Sequence, residues 1–205
     1  MAERRRCHRC DYPTGMCVCA AIEPIFIPGR CVIVQEAKER HHAKNTVRLL
    51  QLALPNLDVI LSTDHGALSI LQAQLAAERT AWGLVYPSAN SQILDNPATP
   101  AGPLPMQWIL LDGTWKKTKR LLFEHPWLTH IPTFSFANPP PSQYFIRKVP
   151  SSKALSTLES VAYLYQLTQG LSMNALLQLQ HRLVEQWQQH QPVAHQPPRQ
   201  TEQGK

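Results

Sequence analysis

The 205-residue chain has no apolar run approaching the roughly 20 residues that a membrane-spanning helix requires. No apolar stretch follows the opening Met1-Ala2-Glu3-Arg4-Arg5-Arg6, so the expectation is a soluble, cytoplasmic protein without a secretory signal, whose thiols stay reduced. No internal repeat is visible, which sets repeat arrays aside. Acidic residues are also scarce: 14 Asp and Glu against 20 Lys and Arg leave a net charge of +6 and an isoelectric point near 9.2. That balance points to a polyanionic partner and says nothing about the fold. What is present, 43% hydrophobic residues, suffices for one good-sized core with a small appended module.

Four of the five cysteines fall within residues 7–19, as Cys7-His8-Arg9-Cys10 and Cys17-Val18-Cys19. The first pair forms a tight knuckle, a turn at Pro13-Thr14-Gly15 reverses the chain, and the second pair returns. This spacing brings four soft ligands to one ion and predicts a closed tetrahedral Zn(II) site made by Cys7, Cys10, Cys17 and Cys19. Such a site has no open coordination position, so the metal holds structure and does no chemistry. His8 is an alternative ligand or a solvated side chain. Cys31 opens an apolar run and reads as a core residue.

Basic residues gather in four places: Arg4-Arg5-Arg6 with Arg9, Lys38 to Arg48 with His41 and His42, Lys116-Lys117 with Lys119-Arg120, and Arg147-Lys148. Each alone is an ordinary solvated face, whereas four clusters adjoining candidate motifs point to nucleic acid. Short apolar runs alternate with helical patterns, as in a layered α/β domain. Strands are expected at Cys31-Gln35, Asp58-Leu61, Trp82-Tyr86, Trp108-Leu111 and Thr133-Phe136. Most are too uniformly apolar for a half-exposed sheet and read as buried parallel strands. Helices are expected at Ala43-Leu54, Ala67-Glu78, Thr114-Phe123, Ser156-Thr168 and Ser172-Gln189. Ser88 to Pro105, with Pro97, Pro100, Pro103 and Pro105, reads as a surface loop, and the Pro- and Gln-rich segment from about Gln191 as a disordered tail. The division is a zinc knuckle over 1–24, a catalytic domain over 25–190 and a tail over 191–205.

Asp112 follows the run Trp108-Ile109-Leu110-Leu111 and precedes Gly113-Thr114-Trp115 and a basic helix. It therefore stands at the carboxyl end of a buried strand, where open α/β sheets place ligands. Equally, Asp112 or Thr114 serves as a cap of that helix. After Pro139-Pro140-Pro141, the segment Ser142 to Lys148 offers Ser142, Tyr144, Arg147 and Lys148 as donors to phosphate or carboxylate. Ser156-Thr157-Leu158-Glu159 has the form of a capping box.

The cysteine group, Glu39 with Asn45-Thr46, Leu111-Asp112-Gly113-Thr114-Trp115, Ser142-x-Tyr144-x-x-Arg147-Lys148 and Ser156-Thr157-Leu158-Glu159 occur together and in this order. Over about Cys7 to Tyr165 the chain resembles the DTW-domain tRNA-uridine aminocarboxypropyltransferases. The resemblance implies a fold related to the SPOUT knotted α/β superfamily, with a mostly parallel sheet and flanking helices, and S-adenosylmethionine bound at the knot. It implies transfer of the 3-amino-3-carboxypropyl group to N3 of a tRNA uridine, leaving methylthioadenosine. Two positions depart from the family: Glu36-Ala37 stands where many members have His-Pro, and Ser160 where Ala is usual.

Within that reaction, a neutral uridine N3 carries a proton, so transfer needs a base, for which Asp112 is the choice. The sulfonium is already a good leaving group, and most of the remaining catalysis is alignment. Arg147 or Lys148 suits the carboxylate of the transferred arm, and Glu159 suits its ammonium unless the cap engages it. Trp115 is either a stacking platform or core. Asn45 and Thr46 either contact a phosphate or cap their helix. Two rival readings are a SPOUT-type RNA methyltransferase and a non-catalytic zinc-containing RNA binder.

Overall fold

The computed structural model describes residues 5–96, 102–146 and 154–190. Arg4, Pro97, Pro100, Arg147, Lys148 and the tail from 191 lie outside the described residues. Six strands form one sheet: β1 (Arg30–Gln35), β2 (Leu57–Leu61), β3 (Trp82–Val85), β4 (Gln92–Ile93), β5 (Gln107–Asp112) and β6 (Thr133–Ser135). Their spatial order is β2-β1-β5-β3-β6-β4, and every neighbouring pair is parallel. The helices are α1 (Val47–Ala53), α2 (His65–Ala77), α3 (Trp115–Glu124), α4 (Thr157–Gln169) and α5 (Asn174–Gln189). Among the described residues no helix is long and apolar enough to cross a membrane.

The strands read as continuously apolar because helices cover both faces of the sheet. Alternation along β1 sorts its side chains: Cys31 and Ile33 join Trp108 and Leu110 under α1, α4 and α5, while Val32 and Val34 join Ile109 and Leu84 under α2. Gly83 lies flat where Trp108 and Phe134 meet edge to face, with ring centroids 5.1 Å apart. A Cβ there would come within 2.7 Å of Trp108 and 2.8 Å of Phe134, so only glycine fits. Burial among these residues pushes the Cys31 thiol up to about 12, as a core cysteine behaves.

Two expectations about boundaries change. The stretch from Ser88 to Pro105 is not wholly loop, because β4 within it pairs with β6, and the Asp95 carboxylate accepts the Ala137 and Asn138 amides, both at 2.7 Å. A two-residue strand has no periodicity to read. Helix α1 starts at Val47 and not near Ala43, because Asn45 holds a turn before it, donating from Nδ2 to the Glu39 carbonyl at 2.7 Å and accepting the Val47 amide at 2.7 Å.

The cysteine knuckle is packed into the main body. Cys10, Tyr12, Met16 and Val18 belong to the same core as α1, α4 and α5. The Tyr12 hydroxyl donates to the Asn45 carbonyl at 2.8 Å, and Gln186 Nε2 donates to the Cys17 carbonyl at 2.9 Å.

The chain leaves β1 towards β2 and leaves β5 in the opposite direction, towards β6. Reversal of this kind opens a crevice at the carboxyl ends of the two strands. Gln35 and Asp112 are register partners at that point.

Candidate active site

Asp112 is buried at the end of β5, and both carboxylate oxygens are held. Gln35 Nε2 donates to Oδ2 at 2.9 Å from β1, and Thr157 Oγ1 donates to Oδ1 at 2.5 Å from the first turn of α4. The helical amino end favours negative charge there. Asp112 therefore bridges three elements and does not cap α3. Thr114 takes the N-cap position of α3 without a side-chain capping bond.

Beside Asp112 a cavity of about 220 Å³ opens at the ends of β3, β5 and β6. Its walls include Leu110, Leu111, Phe136 and Leu155, with Gly113, Thr157 and Ser160 between them, and its rim carries Tyr86 and Trp115. Trp115 is not a core residue: it is 51% exposed, with its ring centroid 6.1 Å from that of Tyr86. An aromatic pair at the rim of an apolar pocket suits a flat heterocycle.

Glu159 is buried and accepts four hydrogen bonds. The Ser156 amide (2.7 Å) and Ser142 Oγ (2.8 Å) donate to Oε2; the Gln143 amide (2.7 Å) and Gln180 Nε2 (3.0 Å) donate to Oε1. Ser156 Oγ in turn accepts the Glu159 amide at 3.1 Å, completing the capping box. With this set of donors the carboxylate ties the 142–143 loop to α4 and α5, and of the two roles the sequence left open the cap is the one it fills here. Ser142 and Tyr144 act in the same joint. The Tyr144 amide donates to Ser142 Oγ at 3.1 Å, and its buried hydroxyl donates to the Lys44 carbonyl at 2.9 Å.

The loop after β1 brings Glu39 to the site. Lys117 Nζ on α3 lies 2.9 Å from Glu36 Oε2 and 3.0 Å from Glu39 Oε1, and these two carboxylates, Glu36 first, raise the Lys117 pKa above its usual range. Asn45 and Thr46 are buried; the Asn45 side chain is engaged by the turn before α1, and Thr46 takes the N-cap position without a side-chain capping bond. Sequence reasoning missed Gln35, Tyr86 and Lys117 as site residues. Tyr86 follows directly on β3, the same address that singled out Asp112. Gln35 ends β1 at the same kind of address, whereas Lys117 carried no such signal, because only the placement of α3 brings it to Glu36 and Glu39.

The four sulfurs of Cys7, Cys10, Cys17 and Cys19 all lie within 4.8 Å of one another. Three of the separations are 3.6–3.7 Å. A tetrahedron with Zn–S bonds of about 2.3 Å has edges of about 3.8 Å, so the residues fit a metal of that kind. The Cys10 and Arg9 amides pull the Cys7 thiol down to about 6, while burial pushes Cys19 up to about 12. A bound cation would hold all four as thiolates.

Part of the basic inventory is structural. Arg48 lies over the Tyr12 ring at 4.7 Å and donates to the Asp11 and Arg40 carbonyls, and Lys44 sits over Trp187 at 4.7 Å. Arg5, Arg9, Lys38, Arg40, Lys116 and Lys119 remain exposed.

Residues 4–188 match the family described as the DTW domain. A curated Drosophila melanogaster protein, tRNA-uridine aminocarboxypropyltransferase 2, is 31% identical over 166 residues, 78% of this chain and 64% of its own length. The protein of the same name from Macaca fascicularis is 27% identical over 78% of this chain and 56% of its own length. The Arabidopsis thaliana tRNA-uridine aminocarboxypropyltransferase A is 26% identical over 58% of this chain and 50% of its own. This chain therefore matches only about half to two-thirds of each of these relatives. No solved structure matches.

Proposed function

The chain belongs to the DTW-domain family, and from that premise we propose that it transfers the 3-amino-3-carboxypropyl group of S-adenosylmethionine to N3 of a uridine in tRNA, releasing methylthioadenosine. One observation carries this reading: the stretch shared with relatives bearing that activity in their names ends β5 in a buried, doubly held carboxylate beside a cavity suited to a nucleoside. Asp112 accepts the N3 proton. The N3–carbon bond forms as the carbon–sulfur bond breaks, and the electron pair returns to sulfur, turning the sulfonium into a neutral thioether. Gln35 and Thr157 keep the Asp112 oxygens fixed, so the remaining requirement is in-line alignment. Tyr86 and Trp115 receive a ring at the rim, and Arg147 or Lys148 takes part in cofactor or substrate binding.

A structural Zn(II) is held by Cys7, Cys10, Cys17 and Cys19 and keeps the knuckle folded. Transfer RNA lies over the exposed basic residues of the knuckle, the loop after β1 and α3, in the cytoplasm. The partition into knuckle (1–24), catalytic domain (25–190) and tail (191–205) belongs to this proposal. So does a SPOUT-related knot, a reading supported by the parallel sheet in which β6 sits between the earlier strands β3 and β4. Mass spectrometry of tRNA nucleosides after incubation with protein and S-adenosylmethionine tests the activity. The expected products are aminocarboxypropyluridine and methylthioadenosine. A methylated nucleoside with S-adenosylhomocysteine would replace this reading by methyl transfer.

A further inference from the structure

The cavity beside Asp112 offers no charged side chain among its described lining residues. The co-substrate of the proposed reaction is a nucleoside joined through sulfur to a zwitterionic amino-acid arm. The cavity suits the nucleoside, but the arm must leave it to find counter-charges, because a buried charge needs a partner. Gly113 marks the way out. A Cβ at Gly113 would lie 3.3 Å from Lys117 Cβ, 3.5 Å from Glu36 Cβ and 3.6 Å from Thr118 Cγ2. Thr118 lines the cavity, whereas Glu36 and Lys117 form an ion pair at 2.9 Å on the far side of that gap. Only a residue without a side chain therefore stands between the cavity and the ion pair.

We propose that Glu36 and Lys117 are the subsite for the amino-acid arm, Glu36 taking its ammonium and Lys117 its carboxylate. This assignment rests on the transfer reading above. An amino acid carries both charges on one carbon, and a carboxylate and an ammonium already in contact form the complementary arrangement. Binding exchanges one ion pair for two, so both charges of the arm are paired. Glu39, buried and 3.0 Å from Lys117 Nζ, keeps the lysine in place when Glu36 turns to the ligand. The Glu36 and Lys117 side chains are 18% and 34% exposed, so a ligand reaches them, whereas the Glu159 carboxylate is engaged by four donors. The Glu36 amide donates to the Asp112 carbonyl at 2.9 Å, so an arm held there lies beside the proposed base. The direction in which the arm is held decides which carbon of the sulfonium faces the acceptor, so the pair bears on which group is transferred.

Titration calorimetry on the full chain tests the proposal with three ligands. S-adenosylmethionine and S-adenosylhomocysteine carry the arm, the second without the sulfonium charge; methylthioadenosine keeps the nucleoside and lacks the arm. Glu36→Gln and Lys117→Met should each weaken both arm-bearing ligands by about tenfold or more, the scale of one lost charge-assisted hydrogen bond, and leave methylthioadenosine within about twofold. Gly113→Ala, which sets a methyl group between the cavity and the ion pair without removing a charge, should give the same pattern. Unchanged affinity for the arm-bearing ligands in Glu36→Gln and Lys117→Met, or equal loss for all three ligands, overturns the subsite while the transfer reading stands on its nucleoside products. If the unaltered protein binds none of the three, the transfer reading falls and the subsite with it.

Discussion

Asp112 and Glu159 are both buried, hydrogen-bonded carboxylates, yet their surroundings give them different work. Asp112 ends β5 at a topological switch, with Gln35 on one oxygen and Thr157 on the other. Asp112→Asn keeps the acceptor for Thr157, and a flipped Gln35 amide can accept from the new nitrogen, so the fold should tolerate it. Transfer should fall by roughly two orders of magnitude or more with melting temperature and S-adenosylmethionine affinity little changed, and raising the pH should partly restore the variant as uridine N3 ionises unaided. Near-normal turnover would make Asp112 structural. Glu159→Gln turns an acceptor of four hydrogen bonds into a group with a donor facing donors. Denaturant unfolding should show a loss of about 2–3 kcal/mol, the scale of charged hydrogen bonds broken in a buried site. An unchanged midpoint would remove Glu159 from the joint between the 142–143 loop and α4.

At the scale of elements, the knuckle matters through what it touches. Tyr12 supports the Asn45 turn, that turn holds the Glu39 carbonyl, and the Glu39 carboxylate holds Lys117. A metal bound at the four cysteines would therefore reach the crevice through packed, hydrogen-bonded residues. Cys10→Ser and Cys19→Ser should each lower bound zinc from about one equivalent and lower folded yield in parallel, measured by metal analysis of purified protein. Full zinc content in both variants would end the assignment. The same reasoning explains why α1 starts late: a turn stapled by Asn45 displaces the helical start that periodicity alone suggests.

For the whole molecule, the exposed basic residues of the knuckle, the post-β1 loop and α3 are the ones available to phosphate, since Arg48 and Lys44 are engaged within the fold. Affinity for tRNA should fall steeply between about 50 and 200 mM salt, by the order of tenfold for each few phosphate contacts, in filter-binding measurements. A flat response would contradict a phosphate-reading surface.

The residue order by itself determined the α/β class, the parallel sheet, the four-thiol cluster, the capping box and the address of Asp112. Each of these is a local property: burial on both faces makes strands uniformly apolar, ligand spacing along a short loop is fixed by chain length, and a cap needs only residues three apart. Tertiary structure alone decided the rest. Gln35 and Asp112, 77 residues apart, meet only because β1 and β5 are neighbours in the sheet. Lys117 meets Glu36 and Glu39 only because α3 folds back over the end of β1. Strand β4 exists because β6 offers it an edge, and Glu159 became a hub because the 142–143 loop and α5 converge on a cap that the four-residue motif already specified. Long-range pairing depends on where the whole chain crosses itself, and no window of sequence carries that information.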